Sequence, residues 1–205
     1  MVPEYWLTAK RRLSRCDPVL AGIIRKYPDI TLRSRGDAFQ TLARSIVGQQ
    51  ISVKAAESVW RRFVAAVEVV QPGRVAAAGA AGICDCGLSG RKAEYILDLA
   101  AHFANGTVDP STWEQLDDEA VIEQLVAVRG IGRWTAEMFL MFNLMRPDVL
   151  PLDDLGLQRA IGLHYFSGRR VAPRTLRRIA AKWQPWRSVA TWYLWRSLDP
   201  VPVEY

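Results

Sequence analysis

The stretch LVAVRGIGRWTAEMF (125–139) is the most informative part of this sequence for the fold. Two glycines separated by one residue lie between a segment with the spacing of an amphipathic helix and a segment that is apolar nearly all round. Glycines there let the chain reverse, and the N-terminus of the second helix then presents amides that suit a phosphate oxygen. Arg133 adds positive charge beside them. A tight turn between two helices explains the same glycines equally well.

A second stretch, VLPLDDLGLQRA (149–160), places two adjacent carboxylates after a proline-framed extended connection. Asp154 stands where it can cap the helix that follows. Because aspartate is a common N-cap residue, Asp153 and Asp154 by themselves do not indicate catalysis.

Helical periodicity in the rest of the sequence predicts an all-α fold. Apolar residues recur at helical spacing over 39–47 and again after Ser52, where Pro72 and Gly73 are predicted to end the helix. An Ala/Gly-rich stretch over 75–87 predicts a short helix and a turn. Further helices are predicted over 87–106 with Ser89 as the cap, over 116–128, 134–145 and 154–164, from Pro173, and over 186–198.

Composition excludes a largely disordered chain and favours a polyanionic partner. Of the 205 residues, 50% are hydrophobic and 23% are charged, and the net charge of +6 comes from basic ends around an acidic middle. The simplest inference is that both ends share one surface. Three cysteines and two histidines fit neither a disulfide framework nor a closed zinc site. Without a signal peptide core or an apolar run of membrane length, we expect a soluble, cytoplasmic protein with no membrane partner.

In this order, GIG at 130–132 and LPLDD at 150–154 resemble the motifs of the helix-hairpin-helix (HhH-GPD) superfamily of DNA glycosylases, most closely its alkylpurine branch, 3-methyladenine DNA glycosylase II. The supporting strings are FQTLARSIVGQQISVKAAESVW (39–60), GLSGRKAEYILDLA (87–100), GIGRWTAEMF (130–139), LPLDDLGLQRA (150–160) and WQPWRSVATWYLWR (183–196). The resemblance implies one glycosylase unit over 1–205 with two helical lobes and a DNA-binding cleft. One lobe covers about 40–150 and the other 1–39 with 151–205, and the extra N-terminal β domain of longer relatives is expected to be missing.

The resemblance also assigns roles to the reaction residues. Asp154 falls on the catalytic carboxylate, which would stabilise positive charge on the sugar and orient the attacking water. Trp134 falls where the lyase-competent branches carry a lysine nucleophile, and an indole cannot form a Schiff base. A monofunctional glycosylase is therefore implied. Lys54 and Lys92 occupy helical positions that predict solvated faces.

An aromatic pocket for an alkylated purine is implied at Trp134 and Trp195, because a methylated purine carries positive charge that aromatic faces attract. Met138 occupies a position where some relatives carry an aromatic residue. Trp60, Trp113 and Trp183 are instead predicted to pack in the core.

The implied DNA-binding elements are the hairpin and a turn that enters the minor groove. The turn comprises Gln49, Gln50 and Ile51, with Gln50 as the candidate wedge that fills the gap left by a flipped nucleotide. An ordinary polar loop is the alternative interpretation of this turn. The hairpin contributes four adjacent residues and Thr135, namely Gly130, Ile131, Gly132, Arg133 and Thr135.

No cofactor is expected to be required. The backbone carbonyls of Val126, Val128 and Ile131 match a monovalent cation site, for Na⁺ or K⁺, in similar proteins. The cysteine cluster that holds an iron–sulfur centre in the endonuclease branch is absent, since no cysteine follows Cys86.

The sequence thus predicts a monomeric glycosylase that flips alkylated purines, 3-methyladenine and 7-methylguanine, out of double-stranded DNA and excises them in base excision repair. Two alternatives stay open at this point. One is a glycosylase for deaminated or oxidised purines, and the other is a non-catalytic helix-hairpin-helix module that only binds DNA.

Overall fold

The described residues are mostly helical and contain no strand, which confirms the all-α prediction. The computed structural model describes residues 2–34 and 36–199, and these residues contain eleven α-helices, two short 3-10 helices and no strand. The α-helices are α1 (Trp6–Cys16), α2 (Pro18–Lys26), α3 (Ala38–Gly48), α4 (Val53–Val67), α5 (Pro72–Asp85), α6 (Gly90–Ala104), α7 (Asp118–Val126), α8 (Arg133–Phe142), α9 (Leu155–Phe166), α10 (Pro173–Ala180) and α11 (Arg187–Leu198). The 3-10 helices cover Pro110–Thr112 and Ala181–Trp183.

Side-chain caps fix where several helices begin. The Ser52 hydroxyl accepts a hydrogen bond from Ala55 N at the start of α4, and the Ser89 hydroxyl accepts one from Lys92 N at the start of α6. Asp154 caps α9 in the same way. These three caps were predicted from the sequence and are confirmed, because short polar side chains satisfy first-turn amides that lack intrahelical partners.

The segment after α4 differs from its prediction. Val67 ends α4, and Pro72 opens α5 instead of closing the helix before it. Proline suits this first helical position because its missing N–H has no intrahelical acceptor there. The expected short helix over 75–87 is part of the 14-residue α5, which Gly79 kinks with φ of 64° and ψ of 176°.

Two compact units make up the described residues. The first unit lies within Met1–Ser34 and Leu140–Glu204, and the second lies within Arg35–Phe139, so the boundary falls inside α8. In the first unit α11 packs against α1, α2 and α9. In the second unit α6 packs against α3 and α5, and α4 also packs against both of those helices.

Large side chains fill both cores. Trp6, Trp183 and Tyr193 are among the most deeply buried residues of the first unit, and Phe63, Ile46 and Ile96 among those of the second. The core positions predicted for Trp60, Trp113 and Trp183 are confirmed, with exposed fractions of 7%, 3% and 0%.

A buried carboxylate ties α2 to the later helices of the first unit. Asp17 is 0% exposed and caps α2, and its Oδ2 accepts hydrogen bonds from the Tyr165 hydroxyl at 2.6 Å and Trp183 Nε1 at 2.8 Å. Lys182 Nζ lies 3.1 Å from the same oxygen. Burial raises the pKa of Asp17, but the hydrogen bonds from these partners outweigh it and leave the pKa below its usual value.

Nothing in the described part of the chain resembles a membrane span, since none of its helices is long and apolar enough to cross a bilayer.

Candidate active site and DNA-binding elements

In the first unit, the Asp154 carboxylate is held at one oxygen by two donors. Its Oδ1 accepts a hydrogen bond from Leu157 N at 2.6 Å, which is the N-cap bond of α9. The same oxygen accepts a second bond from Trp195 Nε1 of α11 at 2.7 Å. Asp154 is 8% exposed, so the two bonds fix the orientation of a largely buried carboxylate.

Trp195 reaches Asp154 because the neighbouring positions leave room for its ring. The Trp195 ring stacks on Phe142 with a centroid separation of 6.0 Å and an interplanar angle of 12°. At Gly156, a Cβ would lie 3.1 Å from Asp154 Oδ1 and 3.1 Å from Trp195 Nε1. Glycine at position 156 therefore allows the indole to approach the first turn of α9 closely.

The connection that leads to Asp154 is anchored to the start of α11. Arg187 donates two hydrogen bonds of 2.8 Å to the carboxylate of Asp148, one from Nε and one from Nη2. The Ser188 hydroxyl donates to Arg146 O at 2.6 Å and accepts from Val149 N at 2.9 Å. These bonds attach the connection that precedes Asp154 to the first residues of α11 within the first unit.

We expect Trp195→Phe to lower the rate of the glycosylase reaction predicted for Asp154 by about tenfold, because the carboxylate loses the Trp195 donor that helps to orient its Oδ1. Phenylalanine keeps a ring that can stack on Phe142. The measurement is the single-turnover rate, compared with Trp192→Phe, which changes another tryptophan of α11 that also packs on Phe142. An equal loss in both variants would show that packing, and not the bond to Asp154, accounts for the effect.

The predicted helix-hairpin-helix consists of α7, a turn and α8, and its residues up to Phe139 belong to the second unit. After α7 ends, Ile131 N donates to Val128 O at 3.1 Å, and Ala136 N donates to Gly132 O at 3.0 Å where α8 begins. Gly130 has φ of 86°. The first-turn amides of α8 have no intrahelical acceptors, which leaves this end suited to an anion.

Gly130→Ala is expected to destabilise the protein by about 2–4 kcal/mol, because an added Cβ would overlap the Tyr95 ring and the left-handed φ strains any L side chain. Urea unfolding measures the change. Gly132→Ala is the matched control, since a Cβ at that position meets no atom within 4 Å. Similar losses in both variants would contradict the specific requirement at Gly130.

The predicted wedge turn follows α3 and is bonded to the hairpin. Gln49 Nε2 donates to Gly130 O at 2.8 Å, which brings the first residue of the turn to the hairpin glycine. Gln50 has φ of 58° and is exposed, and Ile51 is 41% exposed. Both side chains of this turn are therefore accessible to solvent.

Lys92 supports this turn, so the prediction of a solvated Lys92 is wrong, whereas Lys54 is exposed as predicted. Lys92 Nζ donates to Val47 O and to Gln49 O, each at 2.7 Å. Burial lowers the pKa of Lys92. Its ammonium group binds carbonyls at the C-terminal end of α3, where a cation satisfies acceptors that lack intrahelical donors.

The remaining hairpin candidates lie on the first turns of α8. Arg133 donates to Glu119 at 2.9 Å and to Glu137 at 3.1 Å, so two carboxylates partly compensate the charge that the sequence suggested for phosphate binding. Trp134 is 41% exposed, and Thr135 and Met138 are half-buried. Among the described residues, no group of three or more His, Cys, Asp or Glu side chains could hold a metal ion.

The carbonyls expected from the sequence to hold a monovalent cation belong to the end of α7 and to the turn that follows it. Val126 is the last residue of α7, where carbonyls lack intrahelical donors and the helix dipole is negative. Ile131 precedes Gly132, whose carbonyl accepts the first bond of α8. Val128 O already accepts one hydrogen bond and retains a second lone pair.

One protein-family model matches a region of the chain that contains both the hairpin and Asp154. The model of the "HhH-GPD superfamily base excision DNA repair protein" matches residues 43–185. The chain belongs to the HhH-GPD superfamily. The match covers the wedge turn, the hairpin, the Pro-Asp connection and α9.

Relatives within the superfamily include enzymes of known name and structure. A DNA-3-methyladenine glycosylase of Bacillus subtilis is 30% identical over 204 residues, covering 94% of this chain and 67% of that protein. The crystal structure of a DNA-3-methyladenine glycosidase from Bacillus halodurans superposes with a TM-score of 0.84 at 34% identity, covering 92% of this chain and 87% of the other. A Schizosaccharomyces pombe 3-methyladenine DNA glycosylase in complex with abasic DNA superposes with a TM-score of 0.77 at 26% identity, covering 96% of this chain and 100% of the other. The chain spans about two thirds of the length of this Bacillus subtilis relative and of a second one, a putative DNA-3-methyladenine glycosylase that is 31% identical over 188 residues.

The structure brings some HhH-GPD candidate residues together within each unit. In the first unit Trp195 contacts Asp154, and in the second unit Gln49 contacts Gly130. Neither the close packing at Gly156 nor the contacts of Lys92 with backbone carbonyls was predicted from the sequence. A glycine two residues after the aspartate was the only local signal for the close approach of Trp195.

Proposed function

We propose that this chain is a monofunctional DNA glycosylase that hydrolyses alkylated purines, 3-methyladenine and also 7-methylguanine, from duplex DNA in base excision repair. The observation that carries the proposal is the buried Asp154 carboxylate, oriented at Oδ1 by Leu157 N and Trp195 Nε1 in an HhH-GPD protein. The names of its relatives as DNA-3-methyladenine glycosylases support the substrate class.

The chemistry follows from the charge of the substrate. Alkylation at N3 or N7 makes the purine cationic, so when the C1′–N bond breaks the base leaves as a neutral molecule and needs no proton from the enzyme. Positive charge then develops on the sugar, which a fixed carboxylate stabilises. Water adds to C1′ and loses a proton, and the products are the free base, an abasic site and one proton. Asp154 stabilises the cation and orients this water.

Selection of the alkylated base depends on aromatic side chains. Trp195 lies directly beside Asp154 and is stacked on Phe142, so its orientation is fixed before a base arrives. A rigid indole face attracts an electron-poor cationic ring by stacking and cation–π attraction, at about 0.5–2 kcal/mol per contact. Trp134 and Met138 of α8 are also proposed to contact the alkylated base.

Extraction of the base from the duplex is assigned to the second unit. The exposed Gln50 and Ile51 are proposed to fill the gap in the base stack, while Lys92 and the Gln49–Gly130 bond hold their turn. Unstacking costs a few kcal/mol, which an inserted side chain partly offsets. The hairpin residues Gly130, Ile131, Gly132, Arg133 and Thr135 are proposed to bind the phosphate backbone through backbone amides.

A monovalent cation, Na⁺ or K⁺, is proposed at the carbonyls of Val126, Val128 and Ile131. When bound, it would add positive charge beside the hairpin and strengthen its attraction for a phosphate. No further cofactor is proposed. We propose that the protein acts as a monomer, on cytoplasmic DNA of the nucleoid.

Absence of lyase activity rests on Trp134, since an indole nitrogen cannot form a Schiff base with the sugar. Borohydride added during the reaction should trap no covalent complex between protein and DNA. A trapped complex would show that another amine of the chain attacks C1′.

Duplex oligonucleotides that each carry one defined lesion test the substrate class. We expect release of 3-methyladenine and 7-methylguanine to be faster than release of hypoxanthine or 8-oxoguanine, because a neutral purine lacks the charge that weakens its bond and favours the aromatic pocket. Faster release of a neutral lesion would assign the enzyme to deaminated or oxidised purines. Binding without release of any base would indicate a non-catalytic DNA-binding module.

A further inference from the structure

The chain that follows Asp154 has many basic side chains and no acidic ones over a long stretch. Residues 155–198 contain nine basic side chains and no carboxylate. Three of the nine are used inside the first unit, since Lys182 pairs with Asp17, Arg187 pairs with Asp148, and Arg196 is 3% exposed. The other six are exposed arginines, with no ion pair to a carboxylate among the described residues: Arg159, Arg169, Arg170, Arg174, Arg177 and Arg178.

Three of these arginines line a groove on the surface of the first unit. One wall of the groove is α9, with Leu155, Arg159 and Leu163, and the other wall is the segment that follows α9, with Arg169 and Arg170. Leu155 and Leu163 are 74% and 51% exposed, which is unusual for large apolar side chains. The groove therefore combines three guanidinium groups with two apolar side chains and has no acidic side chain in its lining.

Backbone contacts hold the second wall against α9. Gly168 N donates to Gly162 O at 2.9 Å, and Arg169 N donates to Phe166 O at 3.1 Å. At Gly162, a Cβ would lie 2.6 Å from Arg169 O, so only glycine permits this approach. The positions of Arg169 and Arg170 relative to Arg159 are thus set by main-chain packing, which reduces the entropy lost when they bind a ligand.

The groove begins beside the catalytic carboxylate. Leu155 follows Asp154 directly, and Arg159 lies five residues along α9, at a rise of about 7.5 Å. One DNA strand advances about 3.4 Å per nucleotide along the duplex axis, so this rise corresponds to roughly two nucleotides. The distance from Asp154 to Arg159 along α9 thus matches the spacing from a reacting nucleotide to the neighbouring phosphates of its strand.

We propose that the groove formed by Leu155, Arg159, Leu163, Arg169 and Arg170 binds the sugar–phosphate backbone of the damaged strand next to the flipped nucleotide. This proposal rests on the proposed function, because it uses Asp154 as the position of the reacting sugar. The guanidinium groups pair with two or three phosphates, and the two leucines contact the apolar edges of the sugars. Continuity with Asp154 favours DNA over an acidic protein, which would cover the entrance to the same carboxylate.

The test is the salt dependence of binding to a duplex that contains a tetrahydrofuran abasic-site analogue. The triple variant Arg159→Gln, Arg169→Gln, Arg170→Gln should bind on the order of tenfold more weakly at low salt. The slope of log affinity against log salt concentration should become less negative by about 2–3, because each phosphate contact contributes ~0.9 to this slope. The matched control, Arg11→Gln, Arg25→Gln, Arg61→Gln, removes the same charge from exposed positions on α1, α2 and α4 and should keep the wild-type slope to within about 1.

Two results would overturn the proposal. Equal flattening in both triple variants would mean that overall charge, and not this groove, sets the slope. An unchanged slope in the groove variant would exclude DNA, and an acidic protein partner would then explain the arginines better. The proposed function is tested separately by release of methylated purines by the wild-type chain, which the binding measurement does not require. Matching thermal midpoints of the three proteins confirm that each variant is folded.

Discussion

Replacing Asp154 with Asn is expected to lower the single-turnover rate of methylated purine release at least about a hundredfold. The amide is neutral, so it cannot stabilise the positive charge that develops on the sugar, and loss of one such electrostatic contact costs about 10²–10³ in rate. Asparagine keeps an Oδ1 that can accept the bonds from Leu157 N and Trp195 Nε1. The variant therefore removes the charge with little change of shape.

Two comparisons make this result specific to Asp154. Asparagine is as good an N-cap as aspartate, so the thermal midpoint should change little and lost activity cannot be attributed to unfolding of α9. Asp153→Asn removes the same charge from the exposed neighbouring residue and should retain most of the activity. If Asp154→Asn kept the full rate, the catalytic assignment would be wrong even though the fold is that of the family.

The second large effect is on stability. Asp17→Asn is expected to reduce the free energy of unfolding at pH 7 by about 3 kcal/mol, because breaking one side of a buried charge network leaves its partners unsatisfied. An amide cannot replace the carboxylate that receives the Tyr165 hydroxyl, Trp183 Nε1 and the Lys182 ammonium. Denaturant unfolding followed by tryptophan fluorescence measures the difference.

The effect of Asp17 should depend on pH. Its pKa is lower in the folded protein than in the unfolded chain, so the folded form binds this proton less readily. The stabilisation is complete above the unfolded-state pKa of about 4 and is lost as pH falls through the folded-state pKa. The stability difference between wild type and Asp17→Asn should therefore shrink below about pH 4. Asp29→Asn, at an exposed position, is the control. A constant difference from pH 7 to pH 3 would contradict the role of the Asp17 charge.

Local signals in the sequence predicted the helices from α3 onward, apart from the boundary at Pro72, where α5 begins. Ser52, Ser89 and Asp154 predicted the caps that the structure contains, because a cap depends only on the residues of one helical turn. The hairpin at Gly130 was found for the same reason, since a glycine between two helical segments favours a left-handed φ and this signal is local.

Contacts between distant parts of the chain could not be predicted in this way. Trp195 and Asp154 are 41 residues apart, and nothing near either residue specifies their hydrogen bond. Lys92 was expected on a solvated face because its helix position is polar, yet it binds carbonyls of α3 more than 40 residues away. The residues around Asp17 predict only an ordinary N-cap at this position. Its burial depends on Tyr165 and Trp183, which lie near the other end of the chain.

The most direct measurement is the identity of the bases that the wild-type chain frees from methylated duplex DNA. Chromatography of the soluble products should show 3-methyladenine and 7-methylguanine, with one abasic site left in the DNA for each base and no strand cleavage by the protein. Release of no methylated purine, by a folded protein that binds the same DNA, would contradict the account.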